Sequence, residues 1–116
     1  MTPARKSAPT QDELLKGTLD MLVLKTLTVQ PMHAYAIVRH IERLSGGVFD
    51  IEDGALYPAL ERLQKHGLVV GKWGESPTGR RARYYTLTAA GRRKLGEKAS
   101  AFDRVVAAIA GVMNGA

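Results

Sequence analysis

Apolar residues recur along the chain at regular spacings, and these spacings predict its first two elements. From residue 13 to residue 29 they return every three or four positions, which predicts a helix with a broad buried face that ends before Pro31. Residues 34–44 carry the same period, with apolar side chains on one side and charged ones on the other. This pattern predicts a second helix, which Gly46 and Gly47 stop.

A third helix is predicted over residues 55–66. Its apolar stripe is formed by Leu56, Leu60 and Leu63, and Gly67 is suited to end it. We expect the acidic residues of 50–53 to act as caps and Pro58 to fall in the opening turn, where amides lack intrahelical partners. Residues 48–51 form a short apolar link before this helix.

After the third helix the pattern changes to that of strands. Residues 68–74 and 81–87 contain good strand formers, and the Ser-Pro-Thr-Gly segment at 76–79 predicts a hairpin tip between them. Thr88 is then placed to cap a last helix that runs from residue 89 to about residue 113.

Three helices, a hairpin and a final helix form the arrangement of a winged helix-turn-helix. The predicted fold class is mainly α with a small β-hairpin (α+β), with an additional C-terminal helix for dimerisation. We expect a flexible N-terminal tail at 1–12, a winged helix-turn-helix DNA-binding domain at 13–88 and the dimerisation helix at 89–116.

Length and composition exclude several classes of protein. The 116 residues suffice for one ordinary domain, and the chain has no cysteine, which excludes disulfide scaffolds, cysteine nucleophiles and thiolate metal sites. No apolar run reaches the ~18 residues of a membrane span, and no secretory signal is recognisable at the N-terminus. These features predict a cytoplasmic protein without a membrane partner.

The positive charge is concentrated in one part of the chain. The formal net charge is +6, but residues 54–94 hold nine basic and two acidic residues, a net +7, and the rest of the chain has a net −1. Such a segment is expected of a surface that meets a polyanion. A solvated basic face explains the charge alone equally well.

The third helix and the hairpin supply candidate contacts to double-stranded DNA. The helix would bury its leucines and present the opposite face to a major groove, and the hairpin tip gathers guanidinium groups that folding does not require. An ordinary wet helix face and a solubilising turn are the competing interpretations. The predicted DNA-binding residues are Ala55, Tyr57, Pro58, Arg62 and Lys65 on the helix and Arg80, Arg81 and Arg83 on the hairpin.

The last helix carries an apolar stripe at heptad-like spacing. It could pack on the core of its own chain, but the first three helices already hold enough leucines to close that core. We therefore predict pairing with a second copy of the chain, in a homodimer. The predicted interface consists of Leu95, Phe102, Val105, Val106, Ile109, Val112 and Met113.

Catalytic and metal-binding patterns are not recognisable. The three histidines, His33, His40 and His66, show no spacing that would fix a metal, and His66 at a helix end is explained by the helix dipole. There is no nucleophile elbow and no phosphate loop. The sequence predicts neither an enzyme nor a cofactor.

Several segments resemble the PadR family of bacterial transcriptional regulators. The most specific are G-A-L-Y-P-A-L at 54–60 and R-Y-Y-T-L-T-A-A-G at 83–91, and the similarity extends from residue 13 to about residue 95. The family usually has H-G-Y where this chain has His33-Ala34-Tyr35.

The resemblance implies a dimeric winged helix that binds palindromic promoter DNA, most often as a repressor. It places Tyr57 on the recognition helix and residues 80–83 on the wing, and it suggests the short form of the family, with a single dimerisation helix at 89–114. A small apolar or phenolic effector is known for some relatives, but no residue here identifies its site. The alternatives are a winged-helix module that binds a protein instead of DNA and, less favoured, an RNA-binding domain.

Overall fold

The computed structural model describes residues 18–115, so the predicted tail and the start of the first predicted helix lie outside the described residues. Four helices and three strands form this part of the chain, which confirms the predicted α+β class. The helices are α1 (Leu19–Thr26), α2 (Ala34–Leu44), α3 (Asp53–Lys65) and α4 (Ala89–Asn114). The strands are β1 (Met32–His33), β2 (Val69–Glu75) and β3 (Arg81–Leu87).

Helix α1 ends at Thr26, three residues before the predicted end. The amides of Thr28 and Val29 donate to carbonyls three residues back, at 3.1 and 3.2 Å, which tightens the chain into turns. The hydroxyl of Thr26 also donates to the carbonyl of Leu22 at 2.8 Å. Leu27 lies in the turn that follows the helix, and its side chain is buried in the core. The apolar pattern of the sequence therefore continues past the end of α1.

Helix α3 begins at Asp53, two residues earlier than predicted. Its N-cap residue, Glu52, makes no side-chain capping hydrogen bond, so the expected acidic cap is wrong at this position. The earlier start also places Pro58 beyond the opening turn. Because proline has no amide hydrogen, the carbonyl of Gly54 lacks its usual intrahelical partner. Gly54 is exposed, so water has access to this carbonyl.

The sheet has three antiparallel strands in the order β1–β3–β2, one strand more than the hairpin that was predicted. Strand β2 pairs with β3 from Val69 opposite Leu87 to Glu75 opposite Arg81. Strand β1 has only two residues, too few for an alternating pattern to be recognised in the sequence. It pairs with the other edge of β3 and so attaches the N-terminal end of α2 to the hairpin.

The core lies between α1, α2, α3 and the inner face of the sheet. Its largest fully buried side chains are Val23, Leu24, Ile37, Leu56, Leu60, Leu63 and Val69. The start of α4 is held tightly against this body: the Thr88 hydroxyl accepts from the Gly91 amide at 3.0 Å, as the predicted cap requires, and donates to the Gly67 carbonyl at 2.7 Å. Beyond Ser100, every described residue of α4 is exposed.

Candidate nucleic-acid interface

Helix α3 presents a wet face opposite its buried leucines. Leu56, Leu60 and Leu63 are at most 1% exposed, whereas Tyr57 is 49% exposed and Pro58 and Lys65 are also exposed. Ala55 differs from the prediction, because it is partly buried and packs against the core. Among the predicted contact residues of α3, the exposed ones therefore begin at Tyr57 and continue through the turns that follow.

Arg62 is directed towards a neighbouring helix. Its Nη2 atom donates to Oδ1 of Asp20 on α1 at 2.8 Å, with half of the Arg62 side chain still exposed. Such a partly solvated pair contributes up to about 1 kcal/mol. Arg62 and Lys65 line a shallow surface with Glu61 and Gln64. Tyr57 is not part of this surface.

The wing is a hairpin with an ordered tip. Within it the Ser76 amide donates to the Arg80 carbonyl at 2.7 Å, and the Ser76 hydroxyl accepts from the Arg80 amide at 3.2 Å. Gly79 takes a φ of 85°, in the left-handed region that favours glycine, and completes the turn. Arg80 and Arg81 are exposed at the end of this tip.

Trp73 on β2 gathers the wing arginines on one face of the sheet. The guanidinium carbon of Arg81 lies 4.7 Å from the centre of the tryptophan ring, and that of Arg83 lies 5.8 Å from it. Cation–π contacts of this kind contribute about 0.5–1 kcal/mol at exposed sites. The ring thus restricts the conformations of these two arginine side chains, whose like charges would otherwise favour conformations that point away from each other into the solvent.

Arg83 links the wing to α3. Its Nη2 atom donates to Oε1 of Gln64 at 3.0 Å. To reach Gln64 the side chain crosses Gly71 on β2, where a Cβ atom would lie 2.6 Å from the Arg83 Nε atom. A glycine at this position leaves the space that the guanidinium group occupies.

A concavity of about 390 Å³ lies where α2, α3 and the wing meet. Its walls include Tyr35 at the start of α2, Tyr57 on α3, and Trp73, Arg81 and Arg83 on the wing, and no acidic residue among 18–115 lines it. Tyr85 also lines it, and burial raises the pKa of this phenol above its ordinary value. The arrangement offers aromatic groups and two cations to a bound anion.

The predicted dimerisation stripe divides into two parts. Leu95 packs against the core of its own chain and is only partly exposed. The other six side chains are exposed between 42% and 79%, and they continue along one face of the projecting end of α4. These six are Phe102, Val105, Val106, Ile109, Val112 and Met113, defined here as the α4 ridge.

The described residues contain neither a metal-binding cluster nor a transmembrane helix. Between residues 18 and 115, no three His, Asp or Glu side chains come together as metal ligands would. In the same part of the chain, every helix is too short or too polar to cross a bilayer. His33 acts as the N-cap of α2 instead, because its Nδ1 atom accepts from the Ala36 amide at 3.1 Å.

Three residues of this surface were not among the predicted DNA contacts. Trp73 is a good strand former, so its presence in a predicted strand is explained without any contact to the arginines or to DNA. Gln64 lies nineteen residues before Arg83 in the chain, and Tyr35 and Tyr57 lie on different helices. Sequence spacing therefore brings neither pair together. The signal that could have identified Trp73 is its place within the basic segment of residues 54–94, whereas Tyr35 lies outside that segment.

The chain is similar to known proteins in both sequence and structure. The sequence model of the "Transcriptional regulator PadR-like family" matches residues 23–97. A PadR-family transcriptional regulator from Eggerthella lenta has a similar structure, with 30% identity, a TM-score of 0.76, and coverage of 90% of this chain and 88% of that chain. A transcriptional regulator from Clostridium thermocellum has 25% identity, a TM-score of 0.76, and coverage of 83% and 93%. An uncharacterized protein of Lysinibacillus sphaericus is 25% identical over 87 residues, which are 75% of this chain and 80% of that protein.

Proposed function

The chain belongs to the PadR-like family of transcriptional regulators, and from this premise we propose that it binds promoter DNA sequence-specifically as a homodimer and represses transcription. The family is one of regulators and not of enzymes. In this proposal α3 is the recognition helix in the major groove, and the wing contacts the adjacent backbone or minor groove. The compartment of action is then the one that holds the DNA, the cytoplasm.

The observation that carries the DNA proposal is the concavity between α3 and the wing, whose described lining contains cations and aromatic rings but no acidic residue. Tyr57 is exposed at one wall, and Arg81 and Arg83 stand at the other, held by Trp73. A guanidinium fork suits phosphate oxygens, and a tyrosine suits a phosphate through its hydroxyl or a thymine methyl through its ring. An interaction module for proteins would have more use for apolar side chains at the wing tip than for Arg80 and Arg81.

The homodimer is supported by the α4 ridge. Six exposed apolar side chains on one helix face form a patch that monomeric proteins rarely leave in water. An isologous contact with the same ridge of a second copy would cover both patches and relate two α3 helices by a two-fold axis. A two-fold protein matches a palindromic site, whose half-sites are about 34 Å apart or a multiple of it.

Selection of genomic fragments by the purified protein tests this function. We expect enrichment of a few intergenic fragments that share an inverted repeat, bound at least about 10³-fold more tightly than random duplex. A reporter behind such a fragment should lose expression when the protein is present, if the protein is a repressor. Binding of all fragments with equal affinity would contradict sequence-specific regulation. Binding of none would favour the protein-binding alternative.

A further inference from the structure

A second and larger groove lies between α2 and the wing tip. Its volume is about 670 Å³, and its walls include Arg39 and Arg43 on α2 and Arg80 and Arg81 on the wing. In the described part of the chain, no aspartate or glutamate lines it. Four guanidinium groups without an acidic neighbour in one concavity repel each other, and all four residues are exposed, so the core does not require them.

The α2 wall of this groove is a regular ridge. Tyr35, Arg39 and Arg43 follow each other at intervals of four residues, about 6 Å along the helix axis for each step. The Arg39 guanidinium carbon lies 5.9 Å from the centre of the Tyr35 ring, and Arg43 Nη2 lies 3.4 Å from Nδ1 of His40. Neither arginine forms an ion pair with any residue between 18 and 115.

The groove adjoins the concavity that contains Tyr57. His33, Tyr35, Arg81 and Ala82 line both, so the two form neighbouring parts of one basic surface that extends from α3, past the wing, to α2. A molecule that lies along this whole surface must be extended and anionic. Duplex DNA bound at α3 has this shape, and its backbone carries charge beyond the bases that α3 reads.

We propose that the groove between α2 and the wing takes the sugar–phosphate backbone of the DNA that flanks each half-site, with Arg39 and Arg43 as its phosphate-binding residues. This inference rests on the proposed function and extends its footprint from α3 and the wing to Arg39 and Arg43 of α2, on the helix that crosses the DNA backbone in a helix-turn-helix. Because backbone contacts carry no base information, Arg39 and Arg43 contribute affinity and orientation but not sequence preference. The contact depends on the charge of the guanidinium group and on its fork of N–H donors, and not on a particular base.

The test is a double variant, Arg39→Ala with Arg43→Ala, on two duplexes that differ only in length. One duplex extends about ten base pairs beyond the selected inverted repeat at each end, and the other stops at the repeat. The matched control is Arg92→Ala with Arg93→Ala, two exposed arginines of α4, which removes the same charge elsewhere. Thermal unfolding should be similar in all three proteins, since the substituted side chains are exposed.

We expect the α2 variant to bind the extended duplex about tenfold more weakly, with a salt dependence reduced by about two phosphate contacts per subunit. The loss should be much smaller on the trimmed duplex and in the control, and the preference for the repeat over random DNA should not change. Arg39→Lys with Arg43→Lys should retain most of the salt dependence.

Two results would overturn the inference and leave the proposed function intact. One is wild-type binding and salt dependence in the α2 variant, while Arg80→Ala with Arg81→Ala weakens binding. The other is an equal loss on the trimmed and the extended duplex. If the wild-type protein itself shows no preference for any duplex, the proposed function fails, and the footprint on α2 fails with it.

Discussion

Arg83 has the same charge as Arg80 and Arg81 but a different environment. It is only partly exposed, donates to Gln64 on α3, and passes over Gly71 on β2. This side chain therefore holds the wing in a defined position relative to α3 before any DNA is present. A contact that orders the free protein lowers the entropy that binding would otherwise cost.

Gly71→Ala tests this positioning role without changing the charge of the chain. The new Cβ would displace the guanidinium group of Arg83, which is the movable end of a flexible side chain, so the fold should persist. Loss of a hydrogen bond of about 1 kcal/mol predicts operator binding about fivefold weaker, measured by fluorescence anisotropy of a labelled duplex. Gln64→Ala should have a similar effect.

The matched control is Gly96→Ala on α4, where an added Cβ meets no atom within 4 Å. Operator affinity at the wild-type level in Gly71→Ala would show that the link between Arg83 and Gln64 does not contribute to binding. A similar loss in Gly96→Ala would point to a general effect of the substitution.

The wing acts as an element because its tip is ordered by its own hydrogen bonds. Ser76 and Gly79 close the turn, and the pairing of β2 with β3 extends to Glu75 opposite Arg81. Arg80 and Arg81 thus project from a defined support and not from a loose loop. Phosphate contacts from such a support appear in the ionic-strength dependence of binding, because each releases counterions from the duplex.

Arg80→Ala with Arg81→Ala should make the plot of log K against log salt concentration less steep, by about two contacts per subunit. Titrations of the selected duplex at four or more salt concentrations measure this slope. Arg92→Ala with Arg93→Ala is again the control of equal charge. An unchanged slope in the wing variant would place the phosphate contacts elsewhere and contradict the role assigned to the wing.

On the scale of the whole molecule, α4 extends the chain well beyond its core. The described part measures 55 × 31 × 27 Å, and the exposed end of α4 contributes no buried side chain to the monomer. From Phe102 to Met113 the α4 ridge covers about 16 Å of helix, at 1.5 Å per residue. Dimerisation would give this otherwise unsupported segment its packing.

Phe102→Glu with Ile109→Glu should abolish the proposed homodimer and leave a monomer, because four carboxylates would face each other across the proposed interface. Sedimentation equilibrium gives the mass, and circular dichroism the helix content. We expect palindrome binding to fall far more than helix content, since each subunit would then bind one half-site alone. Val29→Glu with Leu44→Glu, at exposed apolar sites outside α4, is the control and should stay dimeric.

A double variant that remains dimeric would contradict the α4 ridge as the interface. So would a wild-type protein that is monomeric at micromolar concentration.

Much of the fold could be predicted from the sequence, because helix periodicity, turn residues and caps act between near neighbours. The bounds of α2 and β3 agree with the prediction, and Thr88 caps α4 as expected. The resemblance to the PadR family rests on local motifs and is confirmed by the family match. The basic excess of residues 54–94 likewise follows from the sequence alone.

The tertiary structure alone decided which side chains meet. Arg62 pairs with Asp20, forty-two residues away in the chain, and Arg83 with Gln64, nineteen residues away. Residues 39 and 43 face the wing because β1 attaches the start of α2 to β3. Periodicity assigns a residue to one side of a helix, but only the packing of that helix determines which other element lies on that side.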